Sequence, residues 1–445
     1  MSRVRTPAPA GAVRWRNWAR TAQASPVDIA TPASVAELQR VVARAAADGM
    51  RVKALGSGHS FTPLCVTDGV ALRLDRLTGI VAADTDTGLV TVLAGTTLRE
   101  LGPALWELGL AMPNLGDIDA QTVAGALATG THGTGARLGG LATGVHALQL
   151  VLADGTLLDC SPDHEPDVLA AARIGLGALG VVATVTLQCV PAFLLRARER
   201  PEPMAGVVGD VDRFLDFAAA HDHAEFYWFP HTDRVLTKRN DRTDGPPRPL
   251  GRVRRAVDDD LLANTVFEWT NRLCAARPGL VPRVNALAAR ALSAREYVDR
   301  SYRVFATPRR VVFRELEYAI PRETAPLAIL EIEAWLRRSG EHVAFPLEVR
   351  VAAADDVWLS TAYGRDSAYV AVHQHVRRDH TRYFDAAEQI LRSMGGRPHW
   401  GKLHSLDATT LATLYPRFDE FRAVRDRLDP DRRFGNAHLA RILGG

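Results

Sequence analysis

Residues Asn114 to Gly140 read NLGDIDAQTVAGALATGTHGTGARLGG, and no other stretch limits the fold of this chain as much. Glycine is costly inside a helix, and small hydroxyl side chains compete for the backbone hydrogen bonds a helix needs, so 27 residues of this composition do not form a core helix. Their small side chains let backbone approach something closely instead. A second turn of this kind, GSGHSF at Gly56–Phe61, follows the short apolar run Arg51–Leu55. A Gly-x-Gly after a strand invites a dinucleotide-binding reading, but the third glycine of that fingerprint is missing and Pro63 stands where its helix would begin. What remains is either a turn whose successive N–H groups face one anion or a hairpin-like turn around a buried His59, and the turn alone does not decide. Two glycine-rich segments, one after a strand and one after a helix, suit a long ligand with phosphates and a flat ring held through backbone amides. A flavin dinucleotide has that shape.

The surroundings fit an α+β chain. Ser34 to Met50 carries apolar residues at helical spacing, with Ser34 and Glu37 in capping-box positions. Gly79 to Leu110 reads as strand, turn, strand and amphipathic helix. Beyond about Pro191 the texture changes: RVVFRELEYAI and YVAVHQHV alternate apolar and polar residues, with the helical APLAILEIEAWLRRS between them, which marks a second domain. TKRNDRTDGPPRPLGRVRRAVDDD, Thr237 to Asp260, reads as a solvated loop with no binding role. The final segment is helical up to Asp429-Pro430 and packs back on one of the domains. A chain of 445 residues with 47% hydrophobic content buries more than one core, and no internal repeat stands out.

Charge and cysteine usage exclude several classes. A net charge of +3 without a basic stripe interleaved with aromatics gives nucleic acid no surface to track. Cys65, Cys160, Cys189 and Cys274 lie far apart with no C-x-x-C pair, which argues against a zinc site or a disulfide scaffold and fits a reducing cytoplasm. The N-terminus has no apolar leader core, and no run approaches the ~20 apolar residues of a membrane span. A cytoplasmic protein without stable membrane insertion is expected.

The second half holds the chemistry. PLEVRV puts Glu348 and Arg350 on one strand face, and VHQHV does the same for His373 and His375. Lys402 in HWGKL is one of three lysines, with Lys53 and Lys238, among 54 basic residues. These groups could line one pocket, or form a cross-strand ion pair beside exposed histidines.

Taken together, GSGHSF, VTVLAGTTLREL, the Asn114–Gly140 segment and GALGVVATVTL resemble the FAD domain of the vanillyl-alcohol-oxidase superfamily. EFYWFPHTDRVLTKRNDRT, ELEYAIP, FPLEVRVAAAD and RPHWGKLHSLD resemble its sugar-1,4-lactone branch, the L-gulono- and D-arabinono-1,4-lactone oxidases and the related alditol oxidases. The resemblance covers almost the whole chain. It implies a two-domain FAD-linked oxidase: a lead-in at 1–20, an FAD-binding domain at 21–190, a substrate-binding cap at 191–405 with an antiparallel sheet and flanking helices, and a helical segment at 406–445 returning to the FAD domain.

The resemblance also implies roles. FAD is expected to be joined covalently to His59 within Gly56, Ser57, Gly58, Ser60 and Phe61. Asp117, Thr122, Gly125, Thr129, Thr131, His132 and Gly133 match the second cradle, and Val181 an adenine-side backbone contact. No cysteine lies near Gly116 in sequence, so a single linkage is expected. The resemblance places Glu348, Arg350, His375 and Lys402 at the substrate face of the flavin, with His373 beside them. Oxidising a CH–OH group moves hydride to flavin N5 while a base, Glu348 or Lys402, takes the hydroxyl proton and Arg350 and Lys402 stabilise developing anion. His375 and Asp117 depart from the alditol branch and favour a lactone substrate, and Gly116 leaves room for dioxygen, although another electron acceptor is the alternative. Two rival readings are a metal hydrolase built on His373, His375, His380, His399 and His404, and a flavin-binding protein without turnover. No metal is expected in the flavin reading.

Overall fold

The computed structural model of the chain describes residues 15–255, 261–262, 264–307 and 309–445. Most of the expected lead-in, and the acidic end of the Thr237–Asp260 stretch, lie outside the described residues. Near the N-terminus, strand β1 (Asp28–Ala30), helix α1 (Val35–Ala47) and strands β2 (Val52–Leu55) and β3 (Val70–Arg73) build a small parallel sheet in the order β1-β3-β2. Helix α1 begins where the Ser34 side chain accepts the Glu37 N–H, and its 3.6-residue period buries Leu38, Val42 and Ala45. Strand β2 runs directly into GSGHSF, so the turn is delivered at the carboxyl end of a strand.

A five-stranded antiparallel sheet follows, made of β4 (Ile80–Asp84), β5 (Leu89–Leu93), β6 (Val145–Val151), β7 (Leu157–Cys160) and β8 (Val181–Gln188) in the order β7-β6-β8-β5-β4. Between β5 and β6 lie α2 (Leu98–Glu107), opened by a Thr97/Glu100 capping box, and the short α3 (Val123–Ala128) inside the glycine-rich segment.

The second domain is an eight-stranded antiparallel sheet. Its strands are β9 (Leu194–Pro203), β10 (His223–Trp228), β11 (Arg234–Thr243), β12 (Arg295–Arg300), β13 (Phe313–Pro321), β14 (Leu347–Ala352), β15 (Ser367–His375) and β16 (Arg397–Pro398). They run in the order β12-β9-β11-β10-β14-β15-β13-β16. Helices α4 (Phe267–Ala276) and α5 (Val281–Ala291) are inserted between β11 and β12. Helices α6 (Ala325–Ser339) and α7 (Thr381–Ser393) cover one sheet face. Period-two alternation sends Phe226, Trp228, Leu316, Tyr318, Val349 and Val370 toward those helices. The opposite set, Glu225, Lys238, Glu315, Glu317, Glu348 and Arg350, is also buried. Ionised groups removed from water persist only when paired, so this face has to be a network of ion pairs.

Helices α8 (Ala408–Leu414), α9 (Phe418–Leu428) and α10 (Ala437–Leu443) close the chain. Leu411, Phe418, Phe421, Leu439 and Ile442 join the same hydrophobic cluster as Val90, Leu105, Leu148 and Val185, so the C-terminal helices share a core with the antiparallel sheet of the first domain. Asn436 caps α10 and its side-chain amide donates to the carbonyls of Pro63, Leu64 and Val66, just beyond the GSGHSF turn.

One expectation is corrected here. Thr237–Thr243, read as the start of a solvated loop, continues β11, and Lys238 and Asn240 are buried. Charged residues alternating onto a buried polar face have the composition of a loop, which is why the stretch misleads.

Candidate active site

Two voids meet at the GSGHSF turn. One has about 1280 Å³ of empty space including its mouth and is lined by Gly56, Ser57, Gly58, Thr122, Gly125 and Val181 among others. The second, a smaller chamber, is lined by Gly116, Asp117, Thr131, His132, Arg350 and Lys402 together with Trp18, Phe61, Glu317 and His399. His59, Ser60, Gln121 and Thr129 face both. The turn is held rigidly: Trp18 N–H donates to the Gly58 carbonyl at 2.8 Å, Asn17 to the Ser60 carbonyl at 2.9 Å, and Thr21 to the Phe61 carbonyl at 2.6 Å. Gly58 has φ of +73°, open to glycine without strain. Gly125 sits so close to the Thr122 hydroxyl that a Cβ would stand 2.8 Å from it. His59 stacks on Trp18 with ring centroids 5.6 Å apart, and its Nδ1 is buried without a hydrogen-bond partner. Burial, with Lys402 nearby, pushes the His59 imidazole down, so its nitrogen is uncharged at neutral pH. A large cavity lined by the glycines of two turns and by apolar side chains, with an unpartnered imidazole nitrogen in its wall, fits a flavin dinucleotide.

The chamber wall is an extended charge network set by sheet register. Tyr227 lies opposite Glu348 across β10 and β14, and Glu225 opposite Lys238 across β10 and β11. Arg350 reaches Glu348 at 2.5 Å, Glu225 at 2.9 Å and Asp117 at 3.2 Å. Arg309 meets Asp117 at 2.5 Å, Lys238 meets Glu225 at 2.6 Å, and the Tyr227 hydroxyl donates to Glu348 at 2.8 Å. Burial alone would raise every one of these carboxyls. Arg350 and Arg309 outweigh it at Asp117 and hold that group far below the usual carboxylate range, while Lys238 and Arg350 hold Glu225 down at about 2. Glu348 differs: burial dominates, Asp117 and Glu225 add to it, and Arg350 does not overcome them, so its carboxyl is raised.

Lys402 forms a second cluster, 2.5 Å from Glu315 and 3.8 Å from Glu317. Burial works against its charge, but the two glutamates prevail and raise it, fixing an ammonium. Glu317 also lies 3.3 Å from His132 Nε2, whose other ring nitrogen meets the Gly133 carbonyl at 2.9 Å. His399 accepts the Gly401 N–H and is pushed down to about 3 by burial. His132, Glu317 and His399 could between them ligate a metal ion, but the Lys402 ammonium competes for the same carboxylate.

The network predicts a stability effect. Glu225→Gln leaves Lys238 buried without its carboxylate, at a cost of about 3–5 kcal/mol. Thermal unfolding of the variant is expected to fall well below wild type at pH 7. Because Glu225 is depressed in the folded state, its contribution is present above the ordinary carboxyl value and lost as pH falls from there toward about 2, so the gap between the two proteins narrows in acid.

The structure thus brings Arg350 and Lys402 to the chamber, with Glu348 one ion pair behind Arg350. His373 lies farther out, 3.5 Å from Glu315 and bonded through Nδ1 to the Pro346 carbonyl. His375 does not line the chamber; its Nε2 meets Glu268 of α4 at 3.2 Å. Gly133 is packed against Asn114 rather than facing either void. Of the histidine set in the hydrolase reading, only His399 belongs to the potential metal group among the described residues. Sequence reasoning missed Glu315, Glu317, Glu225, Arg309, Tyr227 and Trp18 as site residues, and it named His399 only in the metal-hydrolase reading. For Glu315, Glu317, Glu225 and Tyr227 the signal was present as polar alternation in FRELEYAI and EFYWF, but nothing marked which face was buried.

Comparison with known proteins agrees with this geometry. The family model described as D-arabinono-1,4-lactone oxidase matches residues 185–442, and an FAD binding domain model matches residues 26–161. The chain is 44% identical over 430 residues to an L-gulono-1,4-lactone dehydrogenase of Mycobacterium tuberculosis, covering 97% of this chain and 99% of the relative. It is 36% identical over 438 residues to the L-gulonolactone oxidase of Bos taurus, covering 97% and 98%, and 32% identical over 438 residues to an alditol oxidase of Streptomyces sp., covering 96% and 99%. The cholesterol oxidase structure from B. sterolicum superposes with a TM-score of 0.83 at 18% identity, over 96% of each chain, which establishes a shared fold.

Proposed function

The chain belongs to the D-arabinono-1,4-lactone oxidase family of FAD-dependent oxidoreductases acting on CH–OH donors, and from that premise we propose that it oxidises a ring hydroxyl of a sugar-1,4-lactone of the L-gulono or D-arabinono type, with dioxygen as acceptor. The observation that carries this reading is the junction of the large glycine-flanked cavity with a chamber bearing two fixed cations, Arg350 and Lys402. FAD would be held by Gly56, Ser57, Gly58, Ser60, Thr122 and Thr129 and joined through His59 Nδ1; bound there, it supplies the two-electron acceptor that hydride transfer requires. Lys402 is kept as an ammonium by Glu315 and Glu317, so it orients substrate oxygen and offsets developing negative charge rather than taking a proton. Arg350, locked by three carboxylates, does the same from the other wall. The hydroxyl proton is assigned to Glu348, whose proton affinity is raised by burial and which stands one ion pair behind Arg350, while Glu317 is the carboxylate that lines the chamber itself.

Gly116 lines the chamber without a side chain, which supports access for dioxygen. The similarity to a dehydrogenase supports a second reading in which another carrier takes the electrons. Because His375 lies away from the chamber, only Asp117 remains to favour a lactone over an open-chain polyol. The test is anaerobic mixing of the flavin-loaded protein with L-gulono-1,4-lactone, D-arabinono-1,4-lactone or xylitol. Bleaching by a lactone and recovery of colour on admitting air is expected. Recovery only with an artificial dye would favour the dehydrogenase, and bleaching by neither lactone would remove the substrate assignment.

A further inference from the structure

Of the 13 large apolar side chains exposed among the described residues, seven fall between Val253 and Leu287. Trp269 is 66% exposed, Leu273 45% and Leu287 70%. Val266, just before α4, and Trp269 and Leu273 on it follow one another at helical spacing along an outer stripe. The stripe is not required for the helix to dock. The inner positions are already satisfied: Phe267 packs on Phe345 with ring centroids 4.8 Å apart, Asn271 and Cys274 are buried, and Glu268 pairs with His375. In α5, Val281, Asn285 and Ala289 face inward, and Asn285 donates to the carbonyls of Pro230 and Val343. Its outer face shows Leu287 between Arg283 and Arg290.

Among the described residues of the two helices, the unpaired charges have one sign. Arg277, Arg283 and Arg290 are exposed and make no ion pair among the described residues. Arg272 lies over the Trp269 ring at 5.4 Å. Glu268 is the only acidic residue of the two helices, and it is engaged by His375 and Arg272. A tryptophan and leucines flanked by unpaired arginines match the composition of a helix that lies in a bilayer interface and attracts anionic headgroups. A two-fold contact with a second copy would instead set this arginine face against itself.

We propose that α4 and α5 seat the protein peripherally on an anionic lipid surface, with Trp269, Leu273 and Leu287 entering the headgroup region. No helix among the described residues is long and apolar enough to span a membrane, and the proposed contact is peripheral. The inner side of α4 continues through Phe345 and Phe313 to Trp18 and His59, with successive ring centroids 5.3, 5.2 and 5.6 Å apart, so the seated surface lies on the aromatic cluster that backs the cofactor turn.

The flavin-loaded protein is sedimented with vesicles of phosphatidylcholine alone and of equimolar phosphatidylcholine and phosphatidylglycerol. Partition to the anionic vesicles, weakened by salt, is expected. Each basic residue at such a surface is worth about fivefold in partition, so Arg277→Ala, Arg283→Ala and Arg290→Ala together lower it by roughly 100-fold. Trp269→Ser, Leu273→Ser and Leu287→Ser together abolish it while flavin content and melting temperature stay at wild-type values. Wild-type protein that sediments with neither vesicle, or a serine variant that sediments as well as wild type, overturns the proposal. So does a concentration-dependent dimer, absent from the serine variant, in protein that ignores both vesicles; that result would assign the face to a second copy.

Discussion

Acid precipitation of the His59→Ala protein leaves a colourless pellet and a yellow supernatant, whereas the wild-type pellet stays yellow. The expectation rests on one atom. His59 Nδ1 is buried without a hydrogen-bond partner, as are ring nitrogens of His223, His375, His404 and His438, but of these histidines only His59 lines both voids, where a bound group can complete it. Its imidazole is kept uncharged by burial and by Lys402, leaving the nitrogen lone pair free for a carbon bond. The ring plane is set by stacking on Trp18, and the backbone on either side is tied down by Trp18 and Asn17. Because the rest of the cradle is backbone and hydroxyl groups that the substitution leaves alone, the variant still binds FAD. Its turnover is expected to fall on the order of 100-fold, since a ring displaced by even an ångström loses reactive alignment. Equal release of flavin from both proteins would show that His59 is a packing residue and not a point of attachment.

The glycine-rich cradle was legible in the sequence because its composition has few structural uses, and the helices with caps and apolar stripes, such as α1 and α6, were legible from periodicity. The charge network was not. FRELEYAI reads as a strand with Glu315 and Glu317 toward water, and TKRNDRT reads as a loop, because a binary pattern equates polar with exposed. Here both faces of the sheet are buried, one against helices and the other against the cofactor domain, so the polar set carries the chemistry instead of the solubility. Spacing misled in a similar way at His373 and His375. They share a strand face, but two residues along a strand is a displacement of about 7 Å, enough to move His375 from the shell of the Lys402 cluster to Glu268 on α4. Helix α10 went unread because Asp429-Pro430 is a strong stop signal, and the cap that restarts the helix, Asn436, lies a few residues beyond it.

The same network favours one of the two candidate bases, and it gives an expected pH profile. A base acts in its ionised form, so activity rises with pH through the value of that group. Glu348 is raised by burial, which places the acid limb of kcat/KM above the ordinary carboxyl value. Lys402 acts as a cation and is raised by Glu315 and Glu317, which places the alkaline limb above the ordinary lysine value near 10.4. Glu348→Gln is expected to lower kcat by about 10²–10⁴-fold and to flatten the acid limb. It should not unfold the protein, because Arg350 keeps Glu225 and Asp117 as partners. Lys402→Met is expected to lower kcat/KM while the acid limb stays in place, which separates a charge-stabilising role from a basic one. If the acid limb survives unchanged in Glu348→Gln, the proton goes elsewhere. Glu317 is then the next carboxylate to replace, since it lines the chamber itself, but His132 and Lys402 hold it well below the usual range, which makes it the weaker base. The direction of the limb therefore distinguishes the two glutamates: above the ordinary carboxyl value for Glu348, below it for Glu317.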